Sequence, residues 1–389
     1  MNLYRSTIYI SSVVCLSIFF SCNGDGKQKS SKISKSTPGT LQIPEILPHA
    51  LPEEFYMRLE GEIGGQAVVM NLQRDKSEFY GNYYYQGSWL TLSEMETSLK
   101  ETFVFSESGF NLNDEERFMH LKWTGVGFVG YWTADNGRKS YPLILRESYP
   151  EGSFQFKHRI FKDSIQSVPV EYEKGIVEFQ EQYIVADGNN RDYKWLDKVI
   201  KLRDGINGSQ SWERGISKKS DGILNALLVD LPDTLGADSA LLHSNYFNMS
   251  KNTILYNERS FLVLEKNFSA YTGGLHPNYS TTMVCFDVKN KKLLHLKDIL
   301  KADANLSAVL ESCFREQYGL KKNQSLKEIL FEEEIYENHN FYFNNNGLAF
   351  KYNTYEIAPY SEGEISIFLP FSKIRNMIRP TFLQRFDPS

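Results

Sequence analysis

The sequence predicts an α+β fold in two folded parts. The first is an all-β module, a small barrel or sandwich over residues 51–148. The second is an α+β domain over residues 169–389, with a largely antiparallel sheet packed by helices. Three observations carry this expectation. A chain of 389 residues is longer than one typical domain. Aromatic residues make up 14% of it, with 23 Tyr and 26 Phe, and rings favour strands. After residue 169, strand-like and helical patterns mix without strict βαβ alternation.

A leader and a tether precede the folded parts. MNLYRSTIYISSVVCLSIFFSCNGDG carries one positive charge, Arg5, and then an apolar run from Ile8 to Phe20. The run is shorter than a membrane span and has the length of a secretory h-region. It ends in Phe-Phe-Ser-Cys, which resembles a bacterial lipobox, with Phe19 at the place where Leu is usual, as in Bacteroidetes-type lipoproteins. The resemblance implies a signal peptide over residues 1–21 and a lipid on Cys22. It implies anchoring in the cell envelope, periplasmic or surface-facing, with the outer membrane as the expected site. An ordinary signal peptide cut elsewhere is the alternative. Residues 22–50 are rich in Ser, Lys and Gly and cannot bury enough surface to fold, so they read as a flexible tether. Its lysines either meet anionic headgroups or are simply solvated. The net charge of −5 argues against nucleic acid as the main partner.

In the first module, Tyr56, Arg58 and Glu60 alternate against Met57 and Leu59, Gly64-Gly65 makes a turn, and Ala67–Leu72 returns. FYGNYYYQG and FVGYWTADNG form a weak internal repeat of aromatic-x-Gly-x-aromatic. Gly81 and Gly130 are expected to let the backbone pass under a large ring. The aromatic rows read as core first and as a sugar-stacking surface second.

In the second part, VEFQEQYIVAD reads as a strand. Trp195, Leu196, Val199 and Ile200 define a helix ending at Gly205. Residues 205–240 carry no assignment. SNYFNMSKN, NERSFLVLEKNFSAYTGG and NYSTTMVCFDVKN read as strands, followed by a KNKK turn. Asn305 caps a helix with Leu306, Val309, Leu310, Cys313 and Phe314 on one face, ended by Gly319. Ser325 to Glu328 reads as a capping box opening a second helix, with Glu332, Glu333 and Glu334 on its solvated face. A hairpin turns at Asn346-Gly347, where positive φ is cheap. A last strand leads to a short helix after Pro370.

Of the four cysteines, Cys15 leaves with the leader and Cys22 takes the lipid. Cys285 and Cys313 are expected as two separate thiols, since a bridge needs the second face of the Cys285 strand to be covered. The seven histidines are scattered and no metal-ligand spacing occurs, so neither metal nor other cofactor is expected.

YTGGLHPNYSTTMVCFDVKNKKLLHLKDIL and NFYFNNNGLAFKYNTYEIAPYSEGEISIFLPFSKI together resemble a bacterial envelope domain of unknown function. The motifs are the Thr-Gly-Gly-x-His-Pro turn, the strand with its basic turn, the Leu-x-Asp helix and Tyr-Glu-Ile-Ala-Pro-Tyr, over residues 255–380. That domain forms the extracytoplasmic half of lysozyme-sensing anti-sigma factors of the RsiV type and precedes the catalytic domain of some peptidoglycan deacetylases. Residues 51–147 look like an accessory module of Bacteroidetes lipoproteins. The resemblance implies a binding or structural domain, and a lysozyme-like protein or a peptidoglycan fragment as partner. The sequence departs from the family's proteins in two ways: no sigma-binding segment with a retained transmembrane helix is evident, and neither is the deacetylase set of an Asp with paired His ligands.

Two residues are weak catalytic candidates. His276 lies in the glycine turn with no nucleophile beside it, and is expected to hold that turn through its imidazole. Glu356 could serve as a general acid in glycoside cleavage, which needs a second placed carboxylate; otherwise it ties down its loop. With Tyr271, Tyr279, Tyr355 and Tyr360, these two residues make the candidate recognition surface, because tyrosine gives contact area at low entropic cost. The function expected is non-catalytic binding of a protein or glycan at the envelope. The alternatives are an envelope glycan-modifying enzyme and a purely structural lipoprotein.

Overall fold

A computed structural model describes residues 50–386, except 77, 86–87, 96, 98–100, 110–115, 135–136, 167–175, 230–244 and 274. The expected leader, tether and Cys22 lie outside the described residues, apart from residue 50. The architecture is mostly β with few helices.

The N-terminal part is a closed up-and-down barrel. Its strands are β1 (Phe55–Ile63), β2 (Gln66–Arg74), β3 (Phe79–Tyr85), β4 (Ser88–Met95), β5 (Phe103–Gly109), β6 (Arg117–Trp123), β7 (Gly127–Ala134) and β8 (Lys139–Glu147). Each pairs with the next, and β8 closes on β1 with Leu59 opposite Glu147 and Ile63 opposite Leu143. Leu59, Met70, Leu92, Phe105, Met119 and Leu143 fill the interior. Period-two alternation produces this lining. At Gly81 and Gly130 the atoms nearest an added Cβ belong to the neighbouring strand's backbone. A Cβ there would lie 2.2 Å from the Asn71 carbonyl oxygen and 1.7 Å from that of His120. They let neighbouring strand backbones approach where the sheet coils tightly.

A six-stranded sheet follows, in the order β14-β13-β12-β11-β10-β9. The strands are β9 (Phe156–Gln166), β10 (Ile176–Ala186), β11 (Tyr246–Glu258), β12 (Phe261–Tyr271), β13 (Asn278–Asp287) and β14 (Lys292–Leu293). It is antiparallel except for β10 against β11, a parallel pair. On one face lie α1 (Arg191–Arg203), capped by Asn190, and α2 (Trp212–Val229). Leu196, Ile200, Trp212 and Ile216 pack there on Phe179, Ile254 and Phe286. The helix α2 fills part of the stretch the sequence left unassigned.

The other face of β11–β13 carries a three-stranded sheet of β15 (Phe341–Phe343), β16 (Gly347–Tyr352) and β17 (Ile365–Pro370). Four helices accompany it: α3 (Leu296–Ile299), α4 (Ser307–Gln317), α5 (Phe371–Ile374) and α6 (Pro380–Leu383). Cys285 therefore lies on a covered face, and both Cys285 and Cys313 are buried, unbridged thiols. Two local expectations are corrected. The Ser325 box opens a single 3-10 turn, Leu326–Glu328, not a helix. Ser325 Oγ accepts from Lys327 N–H, but the carboxylate that returns is Glu333, which accepts from Ser325 Oγ and Leu326 N–H. The Asn346-Gly347 turn uses no positive φ. Asn344 Oδ1 accepts from both N–H groups and folds the turn instead. Positive φ appears in the β11–β12 hairpin, at Arg259 and Ser260.

Barrel and sheet meet through buried polar groups. Beyond Lys251, β10 no longer pairs with β11, and barrel side chains bond that backbone. Gln73 donates to Asn252 O at 2.9 Å and accepts from Ile254 N–H at 2.7 Å. Asn82 donates to Ile254 O at 2.8 Å and Asn71 to Leu255 O at 3.1 Å. Arg58, 1% exposed, reaches Asn257 O, Ser148 O, Glu60 and Glu258. The carboxamide is the side-chain copy of the peptide group, so these residues replace a missing strand and leave the edge satisfied.

Candidate functional site

The site grows from two loops at the end of β12–β13 and before β17. The loop between Tyr271 and Asn278 turns at Gly273, with φ of 100°, and projects Leu275, which is 102% exposed. Its partner loop, after Tyr352, is built by Glu356. The Glu356 carboxylate accepts from Asn353 N–H at 2.9 Å and from Asn338 Nδ2 at 2.7 Å. That closes the turn and leaves Tyr355 in the left-handed region, at φ of 66°.

The loops are tied to each other and to the sheet. Asn353 Oδ1 accepts from Thr281 N–H at 2.6 Å, and Thr281 Oγ1 donates to Glu364 at 2.6 Å. Asn340 bonds Thr281 O and Met283 N–H, again an amide side chain on strand backbone. His276 Nδ1 lies 2.9 Å from the Pro277 carbonyl, which also accepts from Tyr360 OH at 3.4 Å.

Four rings converge as a result. His276 stacks on Tyr360 with centroids 4.2 Å apart and planes 23° from parallel. Tyr355 lies 5.6 Å and Tyr279 lies 6.4 Å from the same Tyr360 ring. Tyr279 is 46% and Tyr355 59% exposed. Tyr271, expected among them, is half-buried and packs on Tyr246 and Phe247 instead. Of the six candidates, the structure thus gathers His276, Tyr279, Tyr355 and Tyr360. Glu356 supports Tyr355 from behind the turn, and Tyr271 stands apart.

His276 and Glu356 do not bond one another. Glu356 faces a separate hollow with Phe331 and Tyr336, whereas Tyr279 and Tyr360 flank a groove of about 550 Å³ on the sheet. The floor of that groove was not legible as a site. Gln180, Met249, Ser269 and Tyr279 form one cross-strand row, and Gln182, Lys251, Asn267 and Thr281 form the next. The signal was present as polar residues at alternate positions, Asn267-x-Ser269 and Tyr279-x-Thr281, where a covered sheet face would be apolar.

Among the titratable groups that burial displaces outside this site are Glu107 and His158. Burial pushes the Glu107 carboxyl up to about 7, although Tyr83 OH and Trp132 Nε1 both donate to it. Burial pulls His158 down to about 4, with its Nε2 2.7 Å from Tyr80 OH in the barrel–sheet seam. Among the described residues, no cluster of three His, Cys, Asp or Glu side chains is placed to hold a metal, and no helix is long and apolar enough to cross a membrane.

Residues 297–372 match the family DUF3298, described as a protein of unknown function. No curated protein matches the chain. Among solved structures, a member of the DUF3298 family from Bacteroides fragilis is similar, with a TM-score of 0.52 at 17% identity. The likeness covers 61% of this chain and 98% of that one, and it is a likeness of fold. A DUF3298 family protein from Pseudomonas aeruginosa is similar at a TM-score of 0.40 and 14% identity, over 58% of this chain and 95% of that one.

Proposed function

We propose that this chain is a non-catalytic, lipid-anchored protein of the cell envelope that captures a partner with the ring cluster of His276, Tyr279, Tyr355 and Tyr360. On this reading the sheets and helices after Phe156 act as one α+β recognition domain, and a lipid on Cys22 holds it at a membrane, the outer one. The RsiV-type resemblance names a lysozyme-like protein as the first partner to test and a peptidoglycan fragment as the second.

One observation carries the reading. Tyr355 is held in a backbone region that costs a non-glycine residue about 1–2 kcal/mol, and its ring faces solvent. Strain of this kind persists where the surroundings impose it, and it gathers at ligand contacts. The fully exposed Leu275, next to His276, adds an apolar contact beside the rings. Both Glu356 oxygens are engaged in holding the loop, which favours a supporting role over proton transfer.

The test has two arms. A fatty-acid analogue should label the wild-type chain in cells and fail to label Cys22→Ser. Wild-type protein should be retained by immobilised lysozyme or peptidoglycan fragments, and Tyr355→Ala by neither. Retention of Tyr355→Ala equal to wild type would remove the ring cluster from the binding face.

A further inference from the structure

The groove beside the ring cluster has its own chemistry. Its floor spans four strands, about 14 Å at about 4.8 Å per strand. It presents carboxamides from Gln180 and Asn267, the Ser269 hydroxyl and the Lys251 stem, with Tyr279 and Tyr360 at one end. A second hollow of about 350 Å³ adjoins this channel at Lys251 and Asn267, which line both, and reaches Tyr80 and Tyr342. Both volumes fall in the range of about 300–1,000 Å³ that encloses a small ligand.

The charges along this channel are already matched. Lys251 lies 3.7 Å from Glu78, with its Nζ 4.0 Å from the Tyr80 ring centroid. Lys351 pairs with Glu364 at 2.9 Å. Burial pushes the Glu265 carboxyl up toward its neutral form; Lys351 pulls it back and Glu364 adds to the rise. A charged ligand would have to break these pairs, and an apolar one would strand the floor amides. A peptide strand adds to sheet edges, whereas this is a sheet face. What fits is a ligand of many hydroxyls and no charge, with an apolar ring face to lie on tyrosine. We infer that this channel binds a neutral oligosaccharide.

The inference deepens the binding reading above and shares Tyr279 and Tyr360 with it, but lays the sugar along the groove floor. The channel is lined by Gln180 and Ser269, and Tyr355 and His276 do not line it. The full chain is titrated calorimetrically with neutral tetramers of β-linked N-acetylglucosamine and glucose, and with an anionic tetramer of galacturonic acid. At least one neutral tetramer should bind, and the anionic one should bind at least about tenfold more weakly. Ser269→Trp, which fills the channel, and Gln180→Leu, which keeps the volume and removes the amide, should each weaken sugar binding about tenfold. Gln180→Leu, which lies outside the ring cluster, should still be retained by immobilised lysozyme. If Ser269→Trp fails to fold, Gln180→Leu decides. The inference is overturned if neither neutral tetramer binds at millimolar concentration, if the anionic tetramer binds as tightly, or if the decisive variant binds like wild type. Sugar binding lost in Gln180→Leu while lysozyme capture survives separates failure of the groove from failure of the ring cluster.

Discussion

The barrel–sheet seam and the ring cluster draw on the same residue types: tyrosine, asparagine, glutamate and histidine. In the seam, Tyr56 OH donates to Asn71, Asn257 donates to Tyr56 OH, and Tyr84 OH meets Glu258, all away from water. In the ring cluster, the polar groups tie down the backbone and the rings remain outside. The difference is where the hydrogen bonds go. Side chains whose polar ends satisfy distant backbone become structural. Where amide, carboxylate and ring polar groups close the loops at the surface, the ring faces are left for a partner.

The largest break in that contrast is Arg58→Ala. It leaves Glu258 in the seam without its guanidinium and should cost about 3–5 kcal/mol, read as a lower urea midpoint. Acid comes next. His158 is neutral in the fold because its pKa is depressed to about 4 from 6.5. In that window the unfolded chain binds the extra proton, so the stabilisation is complete above about 6.5 and falls as pH drops toward 4. The total is about 3 kcal/mol at about 1.4 kcal/mol per unit. His158→Gln should flatten this part of the stability–pH curve. A variant whose curve matched wild type would show that the burial of His158 is not coupled to folding.

Asn71→Ala is smaller. It strands the Leu255 carbonyl and should cost about 1–3 kcal/mol in the same denaturation experiment. The smallest effect on stability, with the opposite sign, is expected of Tyr355→Gly. Glycine takes the left-handed region freely, so stability should be unchanged or rise by up to about 1 kcal/mol while partner capture is lost. A clear loss of stability would mean that the Tyr355 ring supports the loop rather than displays itself.

Much of the fold was legible because it is local. Alternation in Met57-x-Leu59 marked a barrel strand, and the Leu306 to Phe314 stripe marked α4. The helix α2 was illegible because Gly215 and Gly222 dilute its pattern. Gly215 is required by tertiary packing, since a Cβ there would lie 2.2 Å from Ile206. The Ser325 motif was read correctly as a cap, yet its carboxylate comes from Glu333, because the chain folds back after one turn. For the site, the motif residues His276, Glu356 and Tyr360 were visible as unusual loop chemistry. The groove floor was not, because its polar row is assembled from four strands far apart in sequence.

The sequence by itself determined most of the strands and the amphipathic helices α1 and α4, since these depend on neighbours within a few residues and on period-two or helical spacing. Only the tertiary structure decided that outward-facing Asn71, Gln73 and Asn82 would be buried, that Tyr271 would part from the other rings, and that four strands would assemble a polar groove floor. Amides and rings have the same local pattern whether they face water or another strand. What distinguishes them is which unpaired backbone groups the fold brings within about 3 Å, and no spacing along the chain encodes that.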